Sequence, residues 1–219
     1  MFENVAQYQQ DFLIETGATV YMVVLTAIIA GILGLITGVL LILTREGGLM
    51  EHRPLYWILD KLVNIFRSIP FVILLALISP VTRAIIGTTI GNRAAIVPLV
   101  FGTVPFYARQ VENALAEVDG GIIEAAIAMG DAPKDVIFGV YLKEGLPAII
   151  RASAMTVISL IGLTAMAGAV GAGGLGNLAI TKGYNRLQDD VTLVATVIIL
   201  LLVFVAQGIF NLWEKKVSH

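Results

Sequence analysis

The chain has 219 residues, of which 58% are hydrophobic and only 14% charged, and its mean hydropathy is +0.89. Soluble domains are usually about half apolar and about a quarter charged, so lipid must solvate much of this chain. The formal net charge of −2 gives no basic field for nucleic acid. The absence of cysteine excludes thiolate chemistry, and a count of two histidines argues against a histidine-built metal centre. We therefore expect an integral membrane protein with no nucleic-acid partner and no metal or cofactor of its own.

Residues 1–15 contain acidic residues and no basic ones, which is not typical of a cleaved signal peptide. We expect this segment to lie outside the membrane and the first apolar stretch to remain in it. A spanning helix needs about 20 mostly apolar residues. Three long charge-free stretches and two shorter ones bounded by arginines predict an all-α membrane protein with five spans. The predicted spans are 18–43, 57–81, 92–115, 149–171 and 191–212, with the third kinked at Pro98 or Pro105.

Basic residues flanking the spans indicate how the chain is oriented. The segments 45–67 and 109–151 each hold four basic residues, and the tail 211–219 adds Lys215 and Lys216. The N-terminal segment holds none. The pattern predicts an external N-terminus, which is periplasmic in a bacterium, and a cytoplasmic C-terminal tail. Arg67 and Arg109 lie at span margins, where long side chains can reach the headgroups.

The predicted inner loop 119–147 has strong helix signals of its own. Alanines at 125, 126 and 128 favour a helix from about Ile122 to Met129, which Gly130 can close in the left-handed conformation. Asp131 can cap a second helix, and Pro133 suits its first turn. This second helix is predicted to end near Glu144, before Gly145 and Pro147. From the residues alone, the pair is either a docking element for another protein or a solvated amphipathic hairpin.

One sequence motif favours the docking interpretation. Glu124-Ala125-Ala126, followed by Gly130 and Leu146-Pro147, resembles the EAA loop of bacterial binding-protein-dependent ABC importer permeases. Four further stretches, at 64–71, 91–98, 111–115 and 169–176, are similar to the methionine (D- and L-methionine) importer permeases of that family. The resemblance covers residues 16–210, nearly the whole chain.

The resemblance implies a type I ABC importer permease domain over 16–210, in which the loop 119–147 couples to a separate ATPase. It implies a multi-pass subunit of the bacterial inner membrane that works as a homodimer. Two ATP-binding subunits would hold ATP and magnesium, and a periplasmic or lipid-anchored binding protein would deliver methionine. The residues implied to couple the ATPase are Glu124, Ala125, Ala126, Gly130, Pro133, Leu146 and Pro147. Lys143 departs from the family pattern, which has proline there, so we expect the second loop helix to continue without a bend.

The glycine run at 171–176 fits the G-x-G-x-x-G spacing of a dinucleotide loop, but it follows a charge-free run of spanning length rather than a strand. Close helix packing or an interrupted helix is the better interpretation. Met166 lies among small residues, and the resemblance to type I permeases makes it a candidate gate, meaning a residue that closes the translocation path. The predicted gate and path residues are Met166, Gly168 and Gly171; the alternative for Met166 is ordinary packing.

No paired carboxylates, nucleophile–base set or phosphate loop with lysine is present, so the chain is predicted not to be an enzyme by itself. Arg109 and Glu112, one helical turn apart, predict a local ion pair. Asp189 and Asp190 are predicted to cap the fifth span. Two alternative functions stay open: a permease for another amino acid, or a secondary transporter with no ATPase partner.

Overall fold

The computed structural model describes residues 3–217, and within that range the ordered elements are helical. The α-helices, in chain order, are α1 Glu3–Gln7, α2 Gln9–Thr44, α3 Arg53–Ser68, α4 Phe71–Ile86, α5 Asn92–Ala116, α6 Gly120–Ala128, α7 Pro133–Val136, α8 Leu142–Glu144, α9 Leu146–Ala167, α10 Gly174–Leu178 and α11 Asp189–Val217. Wider π-helical turns occupy Ile137–Tyr141, Gly168–Ala172 and Ala179–Gly183, and a 3₁₀ turn occupies Tyr184–Arg186.

Five candidate membrane spans account for most of these helices. Four are long and apolar enough on their own: α2, α5, α9 with its continuation to Ala172, and α11. The fifth is the pair α3 and α4, which qualifies only when the two helices are counted together. The all-α fold agrees with the sequence prediction, and the number of spans reaches the predicted five when the bent pair is counted as one span.

The second predicted span, 57–81, is not one helix. It is α3 and α4, joined through Ile69 and Pro70 with a bend of 115°. Proline has no amide hydrogen and disfavours the helical conformation in the residue before it. Ile69 accordingly has φ −83° and ψ 122°, which is extended backbone. The predicted span at 57–81 did not include this bend, which divides it into two helices.

The ends of the first and last spans lie further out than predicted. Helix α2 begins at Gln9, so most of the N-terminal segment 1–15 is helical, and α11 continues through the predicted tail to Val217. The parts of these two segments at residues 1–2 and 218–219 lie outside the described residues. Pro98 and Pro105 both lie inside the continuous helix α5.

Helices α2 and α5 form the centre of the fold and approach closely at two glycines. A Cβ atom built at Gly38 would lie 2.6 Å from the carbonyl oxygen of Ala108, and one at Gly34 would lie 2.8 Å from the ring of Tyr107. Small residues at a helix contact allow the backbones to pack this closely in lipid, where dispersion replaces the hydrophobic effect. The α2–α5 contact therefore depends on both glycines.

The glycine run ends one helix and begins another. Val170 and Gly171 leave the helical conformation after α9, Gly173 has φ 81°, and α10 then folds back along α9. A Cβ atom at Gly176 would overlap the carbonyl oxygen of Ala165. The interpretation as a close-packing, helix-interrupting run is confirmed, and a helix precedes it where a dinucleotide fingerprint requires a strand.

Candidate coupling surface and translocation path

Helix α6 is the first half of the predicted coupling loop. Asp119 starts it as the N-cap, because its carboxylate accepts a hydrogen bond of 2.8 Å from the amide of Gly121. The helix therefore begins two residues earlier than the predicted Ile122. At the other end Gly130 has φ 91° and donates its amide to the carbonyl of Ile127 at 3.0 Å. The predicted closure of this helix at Gly130 is confirmed.

The second half of the loop begins at α7 and runs through Ile137–Tyr141 to α8. Pro133 stands in the first turn of α7, as predicted. Backbone amides in a first turn have no acceptor within the helix, so proline, which has no amide hydrogen, costs nothing there. The predicted cap was wrong: the N-cap is Ala132, and no side chain caps this end. Helical conformation then continues to Glu144, so the segment passes through Lys143 without an interruption at that residue.

The predicted coupling residues on α6 point in two directions. Glu124 and Ala125 are exposed, whereas Ala126 is only 3% exposed. Because successive residues of a helix are rotated by about 100°, neighbours in the motif cannot all face one partner. A direct contact with another subunit would therefore fall to Glu124 and Ala125, while Ala126 holds the helix to its own chain.

Large apolar side chains extend the exposed surface of the loop. Ile122 is 46% exposed, Ile127 49%, Met129 77% and Phe138 71%. An apolar patch on a loop outside the apolar spans is typical of a protein–protein contact. These side chains were not among the predicted coupling residues. The position of Met129 at the end of a predicted helix, just before Gly130, could have indicated that its side chain is exposed. We call the exposed side chains of Ile122, Glu124, Ala125, Met129 and Phe138 the coupling surface.

The inner side of the loop is packed against three spans. Ala126, Val136 and Tyr141 are buried in one hydrophobic cluster with residues from the ends of α2, α5 and α9. These span residues are Ile42, Leu43, Tyr107, Val111, Ala114, Leu115, Ile149 and Ala152. A close-packed apolar contact transmits displacement because it has little free volume. Movement of the coupling surface would thus be passed to three membrane helices at once.

The end of the loop connects directly to the fourth span. Gly145 is buried, and a Cβ atom there would lie 2.7 Å from the side chain of Leu115. Pro147 occupies the first turn of α9, and the adjacent Leu146 is 39% exposed. Leu146 and Pro147 therefore lie at the junction where the coupling loop becomes a membrane helix.

A cluster of charged side chains links α3 to α5. Arg109 donates to Glu112 at 2.5 Å, which confirms the predicted local ion pair, and also to Asp60 at 2.5 Å. Asn64 accepts a further hydrogen bond from Arg109 at 3.2 Å and donates to Asp60 at 3.1 Å. No local pattern in the sequence indicated Asp60, which lies 49 residues from Arg109.

At the start of the fifth span, Asp189 and Asp190 lie in the first turn of α11. Asp190 accepts from its neighbour Val191 at 3.0 Å and from the backbone and side chain of Asn4, each at 3.1 Å. Both aspartates thus lie inside the first turn of α11 rather than at the cap position before it, and Asp190 also fixes the N-terminal helix α1.

The predicted gate residues lie at the C-terminal end of α9 and in the π-helical turn that follows it. Met166 stands about 30 Å along the axis from Leu146, at about 1.5 Å per residue, so it lies beyond the middle of the span. Its side chain is 45% exposed. Gly168 is buried, and a Cβ atom there would lie 2.5 Å from the amide nitrogen of Asn177. Gly171 accepts from the amide of Gly91 at 3.2 Å, but a Cβ atom there would have no neighbour within 4 Å, so only Gly168 is enclosed by packing within the chain.

Residues 30–219 match the sequence profile described as binding-protein-dependent transport system inner membrane component. The chain belongs to this family. It is 42% identical over 222 residues to the probable D-methionine transport system permease protein MetI of Vibrio cholerae, covering 100% of this chain and 99% of that relative. It is 50% identical over 173 residues to the methionine import system permease protein MetP of Bacillus subtilis, covering 79% and 78% of the two chains.

Solved structures agree with the family assignment. A chain of the MetNI methionine ABC transporter, solved in inward-facing conformations, superimposes with a TM-score of 0.94 at 41% identity and covers 97% of this chain and 99% of that one. A chain from an amino acid ABC transporter with histidines reaches a TM-score of 0.82 at 18% identity, which shows a shared fold only. Membership of this family makes the chain an inner-membrane transport component rather than an enzyme.

Proposed function

We propose that this chain is the permease subunit of an ATP-driven methionine importer. The observation that supports the proposal best is the coupling surface, an exposed helix pair whose buried side is packed on three membrane helices. The choice of methionine as substrate rests on relatives that are named as methionine permeases and match the chain over most of their length. The proposed assembly with ATPase subunits rests on the similarity to the MetNI transporter, which extends over 97% of this chain.

In this proposal two copies of the chain form the path, and two ATPase subunits dock on their coupling surfaces. The ATPase subunits hold ATP and magnesium, and a periplasmic or lipid-anchored binding protein delivers methionine. The coupling surface and the basic segment 45–67 lie at the same end of the bundle, since Leu43 and Ala126 share one cluster. The positive-inside rule makes this end cytoplasmic, which leaves the N-terminus on the periplasmic side of the bacterial inner membrane.

The proposed mechanism is a displacement of helix ends. Closure of the ATPase subunits on ATP moves α6, and the cluster around Ala126 carries that movement to α2, α5 and α9. The path then alternates between inward-facing and outward-facing forms. ATP shifts the equilibrium between these two states because it binds one of them more tightly. Met166, the exposed one of the three predicted path residues, narrows the outer part of the path.

Reconstitution tests the substrate and the energy source together. The chain, its co-purifying ATPase and its binding protein are placed in proteoliposomes, and uptake of labelled methionine is compared with uptake of glutamine and histidine. We expect ATP-dependent uptake of methionine only. Uptake of another amino acid in place of methionine would contradict the substrate assignment.

Co-purification tests the assembly. A permease of this class should elute with a separate ATPase in an equimolar complex after mild detergent extraction. Transport of methionine by the purified chain alone, driven by an ion gradient, would contradict the ATP-driven proposal and would indicate a secondary transporter.

A further inference from the structure

A cavity of about 360 Å³ lies at the bend between α3 and α4. Its wall includes Arg67 and Phe66 from the end of α3, Thr103 and Phe106 from α5, and Ser159 and Leu163 from α9. We call it the elbow cavity, defined by these six residues. Its volume lies within the range of small-molecule sites.

The elbow cavity lies near the middle of the membrane. Thr103 is about 16 Å along α5 from Asn92 and about 20 Å from Ala116, at about 1.5 Å per residue. Ile69 and Pro70, the non-helical residues of the bend, lie at the same level, because Phe71 packs 3.4 Å from the Cβ position of Gly102. Irregular backbone is tolerated at this depth only where protein buries it or where it lines a cavity.

Two polar groups of the cavity have no partner within residues 3–217: the buried hydroxyl of Thr103 and the guanidinium of Arg67, whose side chain is exposed to the cavity opening. Thr103 is 2% exposed, and its hydroxyl oxygen makes no hydrogen bond within residues 3–217. No carboxylate in the described part of the chain lies within salt-bridge distance of Arg67. A buried hydroxyl without a partner costs about 1–3 kcal/mol, and a cation at membrane depth costs more unless an anion or water meets it. Arg67 thus lines the cavity at membrane depth, where the sequence had placed it at the headgroups.

The remaining wall is apolar and aromatic. Phe66, Phe106 and Leu163 surround the polar groups, and a second hydroxyl comes from Ser159. An arginine binds a carboxylate through paired N–H donors. Hydroxyl oxygens and an aromatic face accept an ammonium group, and a thioether packs favourably against phenyl rings. These groups together complement an amino acid with an unbranched apolar side chain.

We infer that the elbow cavity is a transport subsite that holds one methionine in each permease subunit. Arg67 binds the carboxylate, Thr103 and Ser159 meet the ammonium group, and the phenyl rings of Phe66 and Phe106 hold the thioether side chain. The inference rests on the proposed function and adds to it, because the sequence left open whether the substrate binds within this subunit.

Photolabelling locates the site directly. The purified permease–ATPase complex, in nanodiscs without binding protein or ATP, is irradiated with the diazirine analogue of methionine, and labelled peptides are identified by mass spectrometry. We expect labels on the segments carrying Phe66, Phe106 or Leu163, and excess methionine should remove them. Methioninol, which lacks the carboxylate, should compete at least tenfold more weakly. Labels confined to other segments or to the ATPase would overturn the inference.

Matched variants test the roles of the polar groups. Arg67→Gln should weaken competition by methionine at least tenfold, and Arg67→Lys should recover part of the loss. Thr103→Val should weaken it about 5-fold or more, because the hydroxyl is removed without a change of shape. Thr26→Val is the control, since Thr26 is also fully buried with an unpartnered hydroxyl but lies outside the cavity. Equal effects of Thr103→Val and Thr26→Val would contradict the assignment.

Uptake separates this inference from the proposed function. A wild-type complex that imports methionine with ATP but is never labelled in the elbow cavity would contradict the subsite and leave the proposed function supported. A complex that imports a different amino acid would contradict both the subsite and the proposed function.

Discussion

The guanidinium of Arg109 lies 2.5 Å from the carboxylate of Asp60, a residue 49 positions earlier on a different helix. Their side chains are only 16% and 19% exposed, and Glu112, the third member, is 9% exposed. The contact fixes α3, which leads into the bend, to α5, which carries Thr103. The orientation of the elbow cavity thus depends on an ion pair near the inner end of the bundle.

Asp60→Ala should destabilise the protein by about 3 kcal/mol, because it leaves Arg109 with one carboxylate fewer in a largely desolvated site. Unfolding of the purified chain in mixed detergent micelles, followed by circular dichroism, measures the change. Glu46→Gln is the control, because it breaks the ion pair with Arg53. The Arg53 side chain is 67% exposed and that of Glu46 76%, so this substitution should cost less than about 1 kcal/mol. Equal shifts for the two variants would contradict a structural role for the Asp60–Arg109 contact.

Ala125→Trp should lower recovery of the ATPase in co-purification at least tenfold, because a large side chain would stand where a helix must seat in a groove. Ala6→Trp, at an exposed position on α1 at the opposite end of the bundle, should leave recovery unchanged. Ala126→Trp should instead lower the stability of the permease itself, since Ala126 is buried. If Ala125→Trp destabilised the isolated chain as much as Ala126→Trp, the two residues would not have the separate roles assigned to them.

Gly176→Ala should destabilise the protein by about 1–3 kcal/mol, because its methyl group would overlap the backbone of Ala165. Gly162→Ala, on the exposed face of α9 with no atom within 4 Å, should be neutral or stabilising by up to about 1 kcal/mol. Thermal unfolding in detergent measures both. A neutral Gly176→Ala would show that α10 does not pack tightly on α9.

Glu15→Ala should loosen the glycine run, because the Glu15 carboxylate accepts a hydrogen bond from the amide of Gly174. A hydrogen bond to a charged group contributes about 1.5–3 kcal/mol, so the Gly174 amide should exchange about 10- to 100-fold faster. Hydrogen–deuterium exchange with mass spectrometry over 168–183 gives the measurement. Asp11→Ala, one turn earlier on α2, is the control and should leave exchange in this segment unchanged.

Met166→Ala should raise basal ATP hydrolysis or passive leak in the reconstituted complex, because a narrowing side chain is removed from the outer part of the path. Met155→Ala, on the same helix and 58% exposed, is the matched control. Both activities are measured without binding protein. Unchanged values for Met166→Ala would favour the alternative in which Met166 is an ordinary packing residue.

The sequence was most informative where local chemistry decides structure. Gly130 closes α6 and Pro133 begins α7 because a left-handed turn and a helix start each demand particular residues. The five spans followed from the requirement that lipid-exposed backbone be hydrogen-bonded within a helix. The misassigned cap at Asp131 shows that a suitable residue one position too early is enough to mislead a local pattern.

Tertiary structure decided the relationships between distant residues. Apolar length alone predicts a straight span at 57–81, whereas the extended conformation of Ile69 makes it two helices. Nothing in the local pattern pairs Asp60 with Arg109, or places Arg67 and Thr103 in one cavity, because each pair joins different helices. The direction of Ala126, inward beside the outward Ala125, was likewise settled by packing.

The sequence by itself thus determined that lipid surrounds much of the chain, how many apolar stretches can span it, and that a helix pair lies between two of them. Composition and local backbone preferences control all three. Only the tertiary structure decided which side of that pair is exposed and which side chains line the elbow cavity. These properties arise when helices far apart in sequence pack together, and their contacts are set by complementary shape and charge rather than by any periodic pattern.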